Sequence, residues 1–159
     1  MPAAFLGEVH GLTQVASTVP ANGDVNPYGV AVVLAPTGLA LSGNGTLYVD
    51  DTQTNSVSAI PQALTRTSAI TAAAGTLSVG GALHAPLGMT IVPGGDLVVV
   101  NGDNGNAVEI TPAGKQILTR TLVKNGAGDL FGIITTQRGL VIANDGTNAL
   151  DQATMGARG

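Results

Sequence analysis

The sequence predicts an all-β protein assembled from about three repeats of a four-stranded sheet, and three observations carry that reading. Of 159 residues, 44 % are hydrophobic but only 3 % aromatic, with 23 glycines and 8 prolines. The apolar content is therefore small and β-branched side chains punctuated by turn formers, the profile of many short strands. Apolar residues alternate or run in short blocks, and Gly or Pro interrupts within about ten residues almost everywhere, which leaves no room for a sizeable helix. Finally, one pattern occurs three times, its glycines Gly38, Gly88 and Gly132 spaced by 50 and then 44 residues, a period that signals repeated modules.

Each repeat has the same parts. The first reads Pro36-Thr37-Gly38-Leu39-Ala40-Leu41, then Gly45-Thr46-Leu47-Tyr48-Val49-Asp50-Asp51, then Asn55-Ser56-Val57. Its counterparts are Pro86-Leu87-Gly88-Met89, Gly95-Asp96-Leu97 to Asn101 and Asn106-Ala107-Val108, followed by Leu130-Phe131-Gly132, Gly139-Leu140 to Asp145 and Asn148-Ala149-Leu150. A strand starting at the glycine meets a second through a Gly-containing turn, and Asn or Asp marks the next turn. Outer strands are predicted at 65–72 in the first unit and 116–123 in the second. The glycine-bearing strands should lie innermost, where modules converge and only a residue without Cβ packs closely.

Such a period fits one propeller blade per repeat. The chain reads as a single domain over 1–159: N-terminal strands in 1–35, blades at 36–85 and 86–129, and an incomplete blade at 130–159 that lacks its outer strand. Asn26 to Val33 looks like a further inner strand, yet Gly29 precedes Gly38 by only nine residues, too few for a blade, so an internal shortening is placed between Val33 and Pro36. Leu12 to Val19 is a candidate closing strand, since propellers hide their edges by letting one terminus complete the other end. Three blades fill about half of a six-bladed ring, and their two open faces call for a second copy of the chain: a homodimer closing the ring.

The motif Pro-x-Gly-Leu/Met, followed by Gly-x-Leu-Tyr/Val-Val and Asn-x-Val, resembles the NHL-repeat propellers and the wider six-bladed group of gluconolactonases and related calcium-dependent lactonases. The run Val19 to Val32 is similar to the opening of bacterial secreted or periplasmic propellers. The likeness covers residues 19–151 and implies the fold; fold alone transfers no reaction. In the lactonase group it implies a divalent metal held on the axis by a Glu and by Asn or Asp residues, some just before inner-strand glycines. Those positions here are Tyr28, Thr37, Leu87 and Phe131, poor ligands for a hard cation, so any metal site must use other oxygens.

Such oxygens cluster at the ends of the second strands: Asp50 and Asp51, then Asn101, Asp103 and Asn106, then Asn144, Asp145 and Asn148. One reading makes them turn formers. The other makes Asp50, Asp51, Asn101, Asp103, Asn144 and Asp145 ligands of Ca2+, which takes about 6–8 oxygens. Lactone opening would then need a base to activate water, and His84 is the candidate, with His10 and Glu8 behind it. The resulting expectation is a calcium-dependent hydrolase acting on a small lactone; the alternative is a non-enzymatic scaffold that binds a protein or peptide.

Other chemistries are excluded or disfavoured. With no cysteine, neither a disulfide, a thiolate zinc site nor a cysteine nucleophile can exist. No Gly-x-Ser-x-Gly elbow, His-Glu-x-x-His pair, phosphate loop or Ser-x-x-Lys occurs. Six Lys and Arg with a net charge of -4 make no basic patch for nucleic acid. No apolar run reaches the ~20 residues that span a bilayer, and the first residues lack the basic head and apolar run of a secretory signal.

Overall fold

In the computed structural model, residues 36–154 are described. The predicted closing strand at 12–19, the inner strand and shortening near 26–36, and the residues Glu8 and His10 lie outside them. The described part consists of eleven strands in three antiparallel sheets. The first sheet runs β1 (Pro36–Leu41), β2 (Leu47–Asp51), β3 (Ser56–Ile60) and β4 (Thr76–Val79). The second repeats that order with β5 (Pro86–Ile91), β6 (Leu97–Asn101), β7 (Asn106–Ile110) and β8 (Gln116–Thr121). The third has β9 (Leu130–Thr136), β10 (Gly139–Asn144) and β11 (Ala149–Thr154) and no fourth strand among the described residues.

Each sheet is an up-and-down meander whose register repeats. Pro36 pairs with Asp51, Pro86 with Asn101 and Leu130 with Asn144. The inner strands β1, β5 and β9 touch in sequence, so the sheets converge on their glycine-bearing strands. The glycines are required by this convergence: a Cβ on Gly38 would come within 2.8 Å of the Gly88 Cα, and one on Gly88 would strike the Phe131 carbonyl. Hydroxyls stitch the inner strands together, with Thr37 Oγ1 donating to the Pro86 carbonyl at 2.9 Å and Thr135 Oγ1 to the Ile91 carbonyl at 3.0 Å.

Alternation along the strands supplies two apolar joints. Odd positions of β6, Leu97 and Val99, pack toward the first sheet with Tyr48, Val57, Leu83, Met89, Val108 and Ile110. Even positions, Val98 and Val100, pack toward the third sheet with Ala107, Leu130, Ile133 and Ile142. β6 is thus buried on both faces, which accounts for its unbroken apolar run.

Two sequence expectations are corrected. The outer strand of the first sheet is β4 at 76–79, not 65–72: Thr71 caps a single helical turn, α1 (Ala72–Gly75), by accepting the Ala74 N–H on its hydroxyl. Three consecutive alanines favour that turn, and local capping outweighs strand propensity there. The third-strand motif also shifts by one residue. Asn55 is equivalent to Gly105, not to Asn106, because the three turns have equal length and Asn55, Gly105 and Asn148 all take positive φ (52°, 67° and 52°). Asn and Gly share that position because both tolerate left-handed backbone.

Candidate functional site

The repeated register places every predicted site residue at one end of the sheets, the rim where odd-numbered strands begin and even-numbered strands end. Asp51, Asn101 and Asn144 are equivalent, and each braces this rim. Asp51 Oδ1 accepts the N–H groups of Gln53 and Thr54, both at 2.9 Å. Asn101 is fully buried; its Oδ1 accepts the His84 N–H at 3.1 Å, while its Nδ2 donates to the Ala82 carbonyl and to Asn104. Asn144 Nδ2 donates to Asp151 at 2.6 Å, and its buried Oδ1 has no partner among the described residues. Asp51 thus makes the contacts of a turn former, while Asn101 reaches Ala82 and His84 and Asn144 reaches Asp151 on the next strand.

Asp103 and Asp145 are exposed on the same rim. The Asp145 N–H donates to the Asp129 carbonyl at 2.8 Å, as the Gly102 N–H does to Ala85. His84 is also exposed there, two residues ahead of Pro86, its backbone held by Asn101. Among the described residues, no three Asp, Glu or His side chains stand together as a metal-binding group.

Asp50 differs from all of these. It faces the first joint, at the position that Val100 takes in the second sheet and Ala143 in the third. Its side chain is fully buried. Oδ1 accepts the Gly38 N–H at 2.5 Å and the Thr37 hydroxyl at 2.5 Å, whereas Oδ2 has no partner among the described residues. Oδ2 fills the space that a Cβ on Gly38 would need, so the glycine serves the carboxylate as well as the strand contact. Burial pushes the Asp50 carboxyl above its ordinary value; the Thr37 and Gly38 hydrogen bonds pull against that, and the charge of Asp51 adds to it.

Around Asp50 the rim is rich in oxygen and poor in protons. Thr37 Oγ1 lies 2.9 Å from Thr52 Oγ1, and both hydroxyls reach the Pro86 carbonyl, at 2.9 and 2.8 Å. With the Asp50 contact, four close O···O approaches are served by only two hydroxyl protons. An ionised Asp50 therefore leaves two contacts without hydrogen and one carboxylate oxygen bare, an arrangement that a cation or an additional proton relieves. Thr37, which sequence reasoning set aside as a ligand, stands at the centre of this cluster.

No protein-family model matches the sequence, and no curated protein matches it. Solved structures do match its fold. The virginiamycin B lyase of Staphylococcus aureus superposes with a TM-score of 0.54 at 17 % identity, over 73 % of this chain and 36 % of that one. A calcium-binding protein, regucalcin, from Agrobacterium tumefaciens gives 0.55 at 16 %, over 69 % and 38 %. The fold is a propeller segment. A gluconolactonase from Xanthomonas campestris gives 0.50 at 21 % identity, over 69 % of this chain and 34 % of that one. The segment spans little more than a third of these structures, and its three sheets are blades.

Proposed function

We propose that the chain contributes to a calcium-dependent hydrolase of the lactonase type, acting on a small lactone, with Asp50 as the anionic ligand of the ion and His84 as the base. The observation that carries this reading is the buried Asp50 carboxylate, whose second oxygen has no partner among the described residues, set among the Thr37 and Thr52 hydroxyls and the Pro86 carbonyl. These are the hard oxygen donors that calcium takes. Asp103 and Asp145 add exposed carboxylates to the same rim. The fold likeness to proteins named regucalcin and gluconolactonase supports the reading by analogy.

When bound, the ion would polarise the lactone carbonyl. The chain's own residues do the rest. Thr37 and Thr52 hold the Pro86 carbonyl in place, and Asn101 fixes the backbone of His84 two residues away. His84, exposed on the rim, takes the proton of the attacking water. A second copy of the chain supplies the remaining blades, so that the rims of both copies surround one channel.

One observation favours the scaffold reading instead: the absence, among the described residues, of three ionisable ligands side by side. Ring opening of an aldonic acid δ-lactone, followed by acid release at high protein concentration with calcium and with chelator, separates the two. The hydrolase reading predicts release above the spontaneous rate, abolished by chelator and by Asp50→Asn, and lowered about 10²-fold or more by His84→Ala. Equal background rates with and without calcium would leave only the scaffold, and unchanged kinetics in His84→Ala would dismiss the histidine as base.

A further inference from the structure

The blade joints inside the chain specify what its two open faces should meet. At the first joint, Met89 of β5 packs in one cluster with Val57 of β3; at the second, Ile133 of β9 packs with Ala107 of β7. Each joint thus sets a residue of one inner strand against a residue of the preceding blade's third strand. The same two positions recur, exposed, on the outer faces of the first and third blades. Leu39 is the equivalent of Met89 and Ile133, yet it is 62 % exposed where they are 5 % and 6 %. Leu150 is the equivalent of Val57 and Ala107, yet it is 76 % exposed where they are 0 % and 7 %. Leu41 and Ile134 are exposed beside them.

The polar half of the joint is also present at both ends. Asn55, at its left-handed turn position, accepts the N–H of Ala85, the residue leading Pro86 into β5, at 2.6 Å. Asn148 holds the equivalent turn position with the same φ of 52° and is exposed. It borders a cavity of about 340 Å³ with Phe131, Asn144 and Leu150. The chain that enters the first joint reads Ala85-Pro86-Leu87-Gly88, and the chain that leads into β1 reads Ala35-Pro36-Thr37-Gly38. The first blade therefore carries the Ala-Pro-x-Gly entry that the second blade presents to the first joint.

We propose that the open face of the third blade binds the first blade of a second copy of this chain, head to tail, with Leu150 against the partner's Leu39 and Asn148 in the place that Asn55 takes at the first joint. Two such joints related by a twofold axis close six blades into a ring, whereas a contact that failed to close would run on as a filament. The joint deepens the ring closure included in the functional reading above and rests on it.

The chain's lack of cysteine makes the test clean. Leu39→Cys and Leu150→Cys, both at exposed positions, are mixed and treated with a short bis-maleimide, alongside each variant alone. The expected result is linkage to two-chain mass in the mixture and none in either variant alone, with the unlabelled wild type sedimenting as a dimer. Leu150→Asp should abolish the dimer, and Asn148→Gly, which keeps the left-handed turn, should weaken it about tenfold. Linkage within one variant alone would show like faces pairing and overturn the joint while leaving a dimer. A wild-type dimer indifferent to Leu150→Asp would do the same. A concentration-independent monomer, or open filaments, would overturn ring closure itself, and lactone opening measured on that same sample reports separately on the chemistry.

Discussion

The two joints of this molecule share one register and differ in polarity at one buried position. In the joint between the second and third blades, Val100 closes a hydrocarbon contact with Ala107, Leu130, Ile133 and Ile142. In the joint between the first and second, the same place holds the fully buried Asp50, with Thr37 and Thr52 beside it. A packed apolar side chain there contributes about 1.5–3 kcal/mol, while a buried carboxylate with an unpaired oxygen subtracts from stability. Repeats that share a register and break its apolar rule at one buried site point to function at that site.

Moving the difference from one joint to the other should give the largest effect. Val100→Asp puts a carboxylate where Leu87 and Gly102 stand in place of Thr37 and Thr52, so no hydroxyl awaits it, and a loss of about 3–5 kcal/mol in denaturant unfolding is expected. A loss below about 1 kcal/mol would mean that the second joint accepts charge as readily as the first. Gly38→Ala should follow, at roughly 1–3 kcal/mol, because its methyl collides with both Asp50 and the Gly88 backbone.

The pH dependence in chelator comes next. Burial raises the Asp50 carboxyl in the folded state, so between its ordinary value and its folded value the native chain binds more protons than the unfolded one. Stability therefore falls as pH rises from the ordinary carboxylate range through the raised one. Asp50→Asn should lack that decline, and a wild-type profile that rises over the same interval would refute the assignment. The smallest effects belong to the exposed rim: Asp103→Ala and Asp145→Ala should change stability by less than about 0.5 kcal/mol. Their effect on calcium affinity should be smaller than that of Asp50→Asn, and an equal effect would move the ion out to the rim.

Much of this was legible in the repeats. Glycine-led inner strands, alternation and common turn lengths follow from residues whose local preferences agree with their packing. The turn at 72–75 was not, because three alanines behind a capping threonine form a helical turn that alternation alone does not reveal. Asn106 stood in for Gly105 in the aligned motif because Asn marks turns generally, while only backbone φ shows which residue is left-handed. The site was half legible. Asp50 and Asp51 read as one acidic pair, yet strand alternation sends them to opposite faces. Comparing Leu47-Tyr48-Val49-Asp50-Asp51 with Leu97-Val98-Val99-Val100-Asn101 already separates them, since Asp51 aligns with an asparagine and Asp50 with a valine. Thr37 and the Pro86 carbonyl gave no such signal: strand pairing within the first blade brings Thr37 to the carboxylate, and the meeting of two blades brings the Pro86 carbonyl to Thr37 and Thr52.

Calorimetry of wild type and Asp50→Asn at neutral pH, each with calcium and with chelator, tests the central claim most directly. Calcium should raise the wild-type transition by the equivalent of about 2.7 kcal/mol at a hundredfold excess over its dissociation constant, and should leave Asp50→Asn where it was. No shift in the wild type, or the same shift in both proteins, would contradict a cation site built on Asp50.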